Sequence, residues 1–299
     1  MAVVLGTPGV DALGEAVAAL REWQDDRAPV QLHPGDLGWF WRFGAEATAA
    51  AVRTWRRDGR ILAVGLLDGA DLLRLTIAPD ARRDEELARR LVEAVADPER
   101  GVLPAGRVSV EAPADALVQD LLAEAGWDVA APWTPLRRDL AEPVDLAADL
   151  APDPGVRVEV VGPERAHVRA AVQRAAFDTS TFTAERWRAM AAGPAYADAR
   201  CLVALVDGGH ERRDAVAAVT VWSAGPGRPG LLEPMGVHRD HRGRGYGRAI
   251  TLAAAAALRE LGASSAIVCT PSANAGAVAT YASAGFRALP EVRDRRRAV

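Results

Sequence analysis

The stretch from His238 to Ile250, HRDHRGRGYGRAI, places arginines and glycines directly before an Ala-rich helical pattern. Backbone N–H groups at a helix N-terminus have no internal acceptor and carry the positive end of the helix dipole. Glycine permits positive φ and leaves no Cβ between an amide and a ligand. Together with the donors of Arg242, Arg244 and Arg248, the pattern predicts a diphosphate site. The alternative is a solvated basic turn that caps the helix.

Three phosphate-binding motifs can be compared with this stretch. A Walker motif needs Gly-Lys-Ser/Thr, and the sequence contains no Lys, which also excludes Schiff-base lysine chemistry. A G-x-G-x-x-G dinucleotide fingerprint that starts at Gly243 and Gly245 meets Arg248 at its third glycine position. The pattern Arg-x-x-Gly-x-Gly is complete in Arg242, Gly245 and Gly247. The spacing therefore favours the third motif.

Strands and helices alternate on both sides of this turn. Apolar periodicity predicts the order β-α-α-β-β-β-α-β-α-β from Val156 to Leu289. Two of the strands, CLVALVDG and AVAAVTVW, are expected to form a hairpin through GGHERRD. Helices interleaved with strands indicate a mixed sheet covered on its faces, which is an α/β (α+β) fold.

The first half of the chain repeats much of this pattern. Ile77 aligns with Val237 at an offset of 160, and Gly126 aligns with Gly285 at an offset of 159. Two distant landmarks at nearly one offset indicate an internal duplication, with chance similarity of two α/β halves as the alternative. A Pro-, Asp- and Ala-rich stretch separates the halves. We therefore expect domains at 1–140 and 156–299, joined by a linker at 141–155.

The composition bounds the class of protein. The 299 residues are 49% hydrophobic and 25% charged, with a net charge of −4, so no basic field indicates a nucleic-acid partner. No secretory signal or membrane-spanning run is evident, and a cytoplasmic protein without a membrane partner is expected. Two cysteines, Cys201 and Cys269, predict neither a disulfide framework nor a metal site.

Residues Val156 to Leu289 resemble the GNAT superfamily of acyl-CoA-dependent acetyltransferases. The resemblance rests on GVHRDHRGRGYGRAI and on NAGAVATYASAGF, which occur in the family's order. It implies that acetyl-CoA is the cosubstrate and that the Arg/Gly turn holds its pyrophosphate. The preceding strand would pair with the pantetheine arm. The CoA-binding residues it implies are Met235, Gly236, Val237, Arg242, Gly243, Arg244, Gly245, Tyr246, Gly247, Arg248 and Asn274.

Acetyl transfer to an amine needs a neutral nucleophile, a polarised carbonyl and an acid for the thiolate. Tyr281 falls at the tyrosine that commonly protonates the departing thiolate in the family. Glu233 is the candidate base, directly or through water, because it shares a strand face with Met235. The alternatives are a tyrosine packed on the sheet and a glutamate paired with an arginine. His238 and His241 flank the turn and could serve as a base, but solvated loop positions are expected for them.

The first half carries an altered copy of the turn. Glu85 and Leu87 replace Gly245 and Gly247, while Leu122 occupies the place of Tyr281. Carboxylates at Asp84 to Glu86 are expected to cap their own helix and to repel a diphosphate. The sequence thus predicts two tandem GNAT-like domains, each with a mixed, mostly antiparallel sheet flanked by helices. The first is expected not to bind CoA.

Three further segments carry expectations about packing. The aromatic cluster Trp39, Phe40 and Trp41 is expected in a core or domain interface, with an acceptor-binding wall as the alternative. Cys269 is expected to be a buried core thiol rather than part of the acetyl channel. The arginines between 293 and 297 are expected to form a solvated end.

The function expected from these features is transfer of acetyl from acetyl-CoA to a primary amine of a small molecule. The competing class is a non-catalytic acyl-CoA sensor or scaffold. Narrower versions of the enzymatic interpretation are mycothiol-synthase-like chemistry and aminoglycoside N-acetylation. The protein is expected to be a monomer or a homodimer without a metal.

Overall fold

The computed structural model describes residues 2–144, 155–207 and 213–298, so the turn between the hairpin strands and most of the expected linker lie outside the described residues. The described strands are β1 (Val4–Gly6), β2 (Val52–Arg57), β3 (Arg60–Leu67), β4 (Leu72–Ile77), β5 (Val108–Glu111), β6 (Asp128–Asp139), β7 (Arg157–Val160), β8 (Ala199–Asp207), β9 (Arg213–Ser223), β10 (Gly230–Val237), β11 (Ser265–Pro271), β12 (Arg287–Ala288) and β13 (Val292–Arg297). The described α-helices are α1 (Leu13–Glu22), α2 (Pro34–Phe40), α3 (Ala45–Ala51), α4 (Glu85–Ala96), α5 (Leu117–Glu124), α6 (Ala166–Ala176), α7 (Ala184–Ala191), α8 (Tyr246–Glu260) and α9 (Ala275–Ser283).

The strands form one continuous sheet in the order β1-β2-β3-β4-β5-β13-β6-β11-β10-β9-β8-β7, with β12 paired to β6. Within the described residues only β4 with β5 and β10 with β11 pair in parallel. The mixed, mostly antiparallel architecture predicted from the sequence is confirmed. One apolar core lies in the first half, and two cores cover opposite faces of the sheet in the second half.

The two halves exchange their last strands. The second part of β6 pairs with β11 of the other half, from Pro271 opposite Trp133 to Ser265 opposite Asp139. In return β13, from the chain's C-terminal end, lies between β5 and the first part of β6. The expectation of a solvated basic end at residues 293–297 was wrong. Backbone pairing to two strands holds this segment, and Arg295 and Arg297 bond the first half.

Helix α2 forms a tight contact between the halves. The ring of Trp222, on β9, lies so close that a Cβ added at Gly35 or Gly38 would come within 2.5 or 2.3 Å of its atoms. The predicted interface position of the aromatic cluster is confirmed, since Trp39 packs on Phe182 with ring centroids 5.1 Å apart. The first half is therefore held directly against β9 and β10.

Candidate active site

The site begins where β10 and β11 separate. These parallel strands pair only at Gly230 and Leu231, opposite Ala266 and Ile267. The register of β10 against β9 also shifts between Leu232 and Met235. Beyond that point a cavity of about 960 Å³ opens, lined by 232–237 on one side and 268–271 on the other. On the cavity side residues 235–237 have no strand partner among the described strands, so their backbone groups can pair with an extended ligand.

The Arg/Gly turn closes one end of this cavity. Gly243 and Gly245 have φ of 76° and 85°, in the left-handed region that favours glycine. Gly245 precedes α8 and provides no side-chain cap. The first amides of α8 therefore lack an intrahelical acceptor and lie beside the cavity. Their arrangement fits a diphosphate, because the positive end of the helix dipole and the free amide donors both favour an anion at the N-terminus of α8.

The cavity brings together nearly all the residues expected to bind CoA. Arg242 and Arg248 line it, and each also donates to a carbonyl at the C-terminal end of a neighbouring helix, at 2.8 Å to Ala176 and 2.9 Å to Ser283. Arg244 is exposed and is not a lining residue. The expected residues that line the cavity are Met235, Gly236, Val237, Arg242, Gly243, Gly245, Tyr246, Gly247, Arg248 and Asn274.

Gly247 has a structural role that the motif alone did not reveal. Its φ is not positive, and a Cβ there would lie 2.8 Å from Cγ2 of Thr280 on α9. Gly236 is similarly limited, because a Cβ there would lie 2.6 Å from the Cβ of Ala176. The absence of side chains lets α8 and β10 approach the helices that form the cavity wall.

Three polar residues near the turn occupy defined positions. Asn274 caps α9 by accepting a hydrogen bond from the amide of Ala277 at 3.2 Å. His238 accepts from the amide of Asp240, so it caps a short turn. His241 lines the cavity, and its Nδ1 is buried without a hydrogen-bond partner in the described residues. His241 is thus half-buried in the cavity wall.

Tyr281 lies on α9, where it is buried and lines the cavity. Its ring packs on Phe286 with centroids 5.9 Å apart. No hydrogen bond of its hydroxyl occurs within the described part of the chain. Burial, followed by the negative charge of Glu233, raises the pKa of Tyr281 above its usual value. The hydroxyl therefore keeps its proton at neutral pH and can donate it.

Glu233 also lines the cavity, on β10 at the register shift. Its backbone carbonyl accepts a hydrogen bond from Nε1 of Trp222 at 2.6 Å. Its carboxylate forms no ion pair with any residue of the described ranges 2–144, 155–207 and 213–298. Burial, with a smaller contribution from the negative charge of Asp36, raises the pKa of Glu233 to about 7, although the charge of Arg74 opposes the shift. Such a group is half ionised near neutral pH, which suits a general base.

Cys269 is not the core thiol that the sequence predicted. It is only partly buried and lines the cavity, because β10 and β11 have already separated at its position. Burial raises the pKa of its thiol to about 12, so the thiol is uncharged at neutral pH and contributes to the cavity lining rather than acting as a nucleophile. Sequence reasoning also missed Trp133 of the exchanged β6 and Phe177, which line the same cavity.

The corresponding turn in the first half is closed by the protein itself. Asp84 caps α4 by accepting from the amide of Leu87 at 2.8 Å, as expected. Arg57 donates to both carboxylate oxygens of Asp84, at 2.7 and 2.9 Å, and holds its pKa at about 2. Leu122 is fully buried where the second half has Tyr281. The first half thus has neither a free helix N-terminus nor the tyrosine.

The parallel strands of the first half also stay connected. Strands β4 and β5 pair through Arg74 opposite Glu111. The Nε of Arg74 donates to the Glu111 carboxylate at 2.8 Å. An ion pair thus lies across the position corresponding to the open cleft of the second half.

Among the described residues no group of side chains could hold a metal ion, and no helix is both long and apolar enough to cross a membrane.

Comparisons with known proteins agree with this geometry. Residues 168–286 match the profile of the acetyltransferase (GNAT) family. A GCN5-related N-acetyltransferase from Sphaerobacter thermophilus has a similar structure, with TM-score 0.59, 18% identity, and coverage of 99% of this chain and 95% of that one. A tandem GNAT protein from the clavulanic acid biosynthesis pathway also has a similar structure. Its TM-score is 0.60 and its sequence identity is 17%, and the match covers 99% of this chain and 98% of that one. At these low sequence identities the structural similarity shows a shared fold and nothing more. No curated protein sequence matches the chain.

Proposed function

We propose that the chain is an acyltransferase that transfers acetyl from acetyl-CoA to a primary amine of a small molecule, because residues 168–286 match the acetyltransferase (GNAT) family. The observation that carries the proposal is the cavity shared by the diphosphate-type turn, Glu233 and Tyr281. The pyrophosphate of CoA would lie on the first amides of α8. The pantetheine arm would pair with the free edge of residues 235–237.

The transfer needs two proton movements, for which the site has two groups. The amine nitrogen attacks the thioester carbonyl carbon, and its proton passes to Glu233, directly or through water. The carbon–sulfur bond then breaks, and Tyr281 supplies a proton to the sulfur. The raised pKa of Glu233 supports its role, since the carboxylate is partly ionised near pH 7. Tyr281 is protonated there and so has a proton to supply.

The test is a CoA-release assay with a panel of primary amines at saturating acetyl-CoA. Tyr281→Phe should lower kcat roughly 100-fold or more, the usual contribution of a general acid, while acetyl-CoA affinity changes little. Tyr196→Phe is the control for loss of a buried phenol hydroxyl, because Tyr196 packs on Trp187 and Trp222 and does not line the cavity. Unchanged turnover in Tyr281→Phe would remove the assigned role of the tyrosine.

A non-catalytic acyl-CoA sensor is the competing function. It needs the turn but has no use for a protonated tyrosine and an unpaired glutamate beside the thioester position. Saturable acetyl-CoA binding without acetylation of any amine would favour the sensor. Mass spectrometry of the amine products would separate the two functions and would also identify the acceptor among candidates such as amino sugars.

A further inference from the structure

The end of α1, helix α2 and the chain between them contact the closed end of the cleft between β10 and β11. Arg228, just before β10, donates to the carbonyl of Glu22 at 2.7 Å. Ser265, the first residue of β11, donates to the carboxylate of Asp26. Both strands therefore begin at points that the first half holds, before they separate beyond Leu231.

His33 makes another contact of this kind from the N-terminus of α2. Its Nδ1 accepts a hydrogen bond from the amide of Gly35 at 2.9 Å, so Nε2 carries the proton and donates to the carbonyl of Pro229 at 3.1 Å. The side chain is fully buried, and burial lowers the pKa of His33 to about 4, so the ring is neutral near pH 7. Because Pro229 directly precedes β10, one imidazole joins the cap of α2 to the start of that strand.

Trp222, on β9, connects α2 with the candidate base. Its buried ring packs against α2 where Gly35 and Gly38 leave no space for a Cβ. Its Nε1 donates to the backbone carbonyl of Glu233 at 2.6 Å. Glu233 lies where the register of β10 against β9 shifts, between residues 232 and 235. The indole N–H therefore holds β10 at the interruption of its ladder.

The carbonyl that Trp222 holds belongs to the same residue as the carboxylate that lines the cavity. A change in the backbone at Glu233 would therefore move the carboxylate as well. Helix α2 limits the movement of the indole ring, and the ring limits the movement of the backbone. Misplacing a catalytic group by about 1 Å can lower a rate roughly 100-fold.

We propose that Trp222 is a positioning residue, which transmits the placement of α2 to Glu233 and makes the first half an integral part of the active site. The inference rests on the proposed function, in which Glu233 is the base. Neither Trp222 nor His33 lines the cavity, so both act through β10 and not on a substrate. The first half, which has no free diphosphate turn, thereby has a role in the reaction.

The first test is Trp222→Phe, which keeps a buried aromatic ring and removes the N–H. It should lower kcat roughly tenfold or more at saturating amine, while acetyl-CoA affinity in calorimetry changes little. Trp55→Phe is the matched control, because Trp55 is also fully buried and its Nε1 has no hydrogen-bond partner in the part of the chain that the structure describes. The control should keep kcat although it loses the same ring volume.

A second variant separates positioning from packing of the indole. His33→Asn keeps a side chain that caps helices well, but it is too short to bond both Gly35 and Pro229. It should lower kcat in the same direction as Trp222→Phe, because the start of β10 is released from α2.

A double-mutant cycle in urea unfolding at pH 8.5 measures the same coupling without turnover. Glu233→Gln should raise the urea midpoint of the wild type, because a buried carboxylate is costly when ionised. In the Trp222→Phe background the released carboxylate can turn toward solvent, so this gain should fall by roughly half or more. In the Trp55→Phe background the gain should stay at the wild-type value.

Wild-type kcat in both Trp222→Phe and His33→Asn would overturn the proposal, as would an undiminished gain from Glu233→Gln in these two backgrounds. If Trp222→Phe fails to fold, His33→Asn decides both measurements. A diminished gain, with no amine acetylated by the wild type, would support the positioning role and refute the proposed function.

Discussion

Replacing Glu233 with glutamine should stabilise the protein at high pH while it damages catalysis. Burial and the nearby carboxylates raise the pKa of Glu233 from its usual 4.5 to about 7. The folded protein thus holds this proton more tightly than the unfolded chain does. The resulting stability is fully present below about pH 4.5 and is lost as the pH rises through 7. At 1.36 kcal/mol per pH unit, the difference is on the order of 3 kcal/mol.

Glutamine keeps the shape of the side chain but cannot ionise. Glu233→Gln should therefore be more stable than the wild type by about 3 kcal/mol at pH 8.5, with the gap closing toward pH 4.5. Urea unfolding at several pH values measures this difference. Glu99→Gln, at an exposed position in a short turn, is the control and should give a small difference at every pH.

The same variant tests the role of Glu233 in catalysis. In the wild type the ionisation of Glu233 should add a rise in kcat/KM centred near pH 7, because the ionised carboxylate is the proposed base. Glu233→Gln should lose that rise and fall roughly 100-fold or more. A variant that is destabilised at pH 8.5, or that keeps both the rate and the pH profile of the wild type, would refute the reasoning.

Three other predictions concern packing and the cavity wall. Gly38→Ala places a Cβ 2.3 Å from Cζ3 of Trp222, so it should destabilise the protein by about 1–3 kcal/mol and lower kcat. Gly14→Ala is the control and should be neutral or stabilising, because nothing lies within 4 Å of its Cβ. Equal effects of the two changes in thermal unfolding would contradict the tight contact between α2 and Trp222. Deletion of residues 292–299 should abolish cooperative unfolding of both halves, and an unaltered melting curve would contradict the strand exchange. Cys269 should react slowly with iodoacetamide near pH 7, since burial raises its pKa to about 12, and acetyl-CoA should slow the reaction further.

The turn and its neighbours were predictable because their signals are local. Positive φ at Gly243 and Gly245 follows from what glycine alone adopts readily, and the strand, turn and helix order follows from apolar periodicity. The capping role of Asp84 follows from its position directly before a helix. Each of these features depends on a few consecutive residues.

The remaining features arise from contacts that are distant in sequence. Strand β13 consists largely of arginines and lacks apolar alternation, and its partners lie more than a hundred residues earlier. The exposure of Cys269 depends on where β10 leaves β11. Sequence periodicity carries no information about either arrangement.

Calorimetric titration with acetyl-CoA tests most directly the claim that only the turn of the second half binds CoA. Gly245→Glu introduces the residue found at the corresponding position of the first half, Glu85. Gly101→Glu is the control, because Gly101 also has positive φ and lies away from the cavity. Wild type and control should bind one acetyl-CoA per chain, and Gly245→Glu should bind at least 100-fold more weakly. Two acetyl-CoA molecules per chain, no binding to the wild type, or retained affinity in Gly245→Glu would contradict the account.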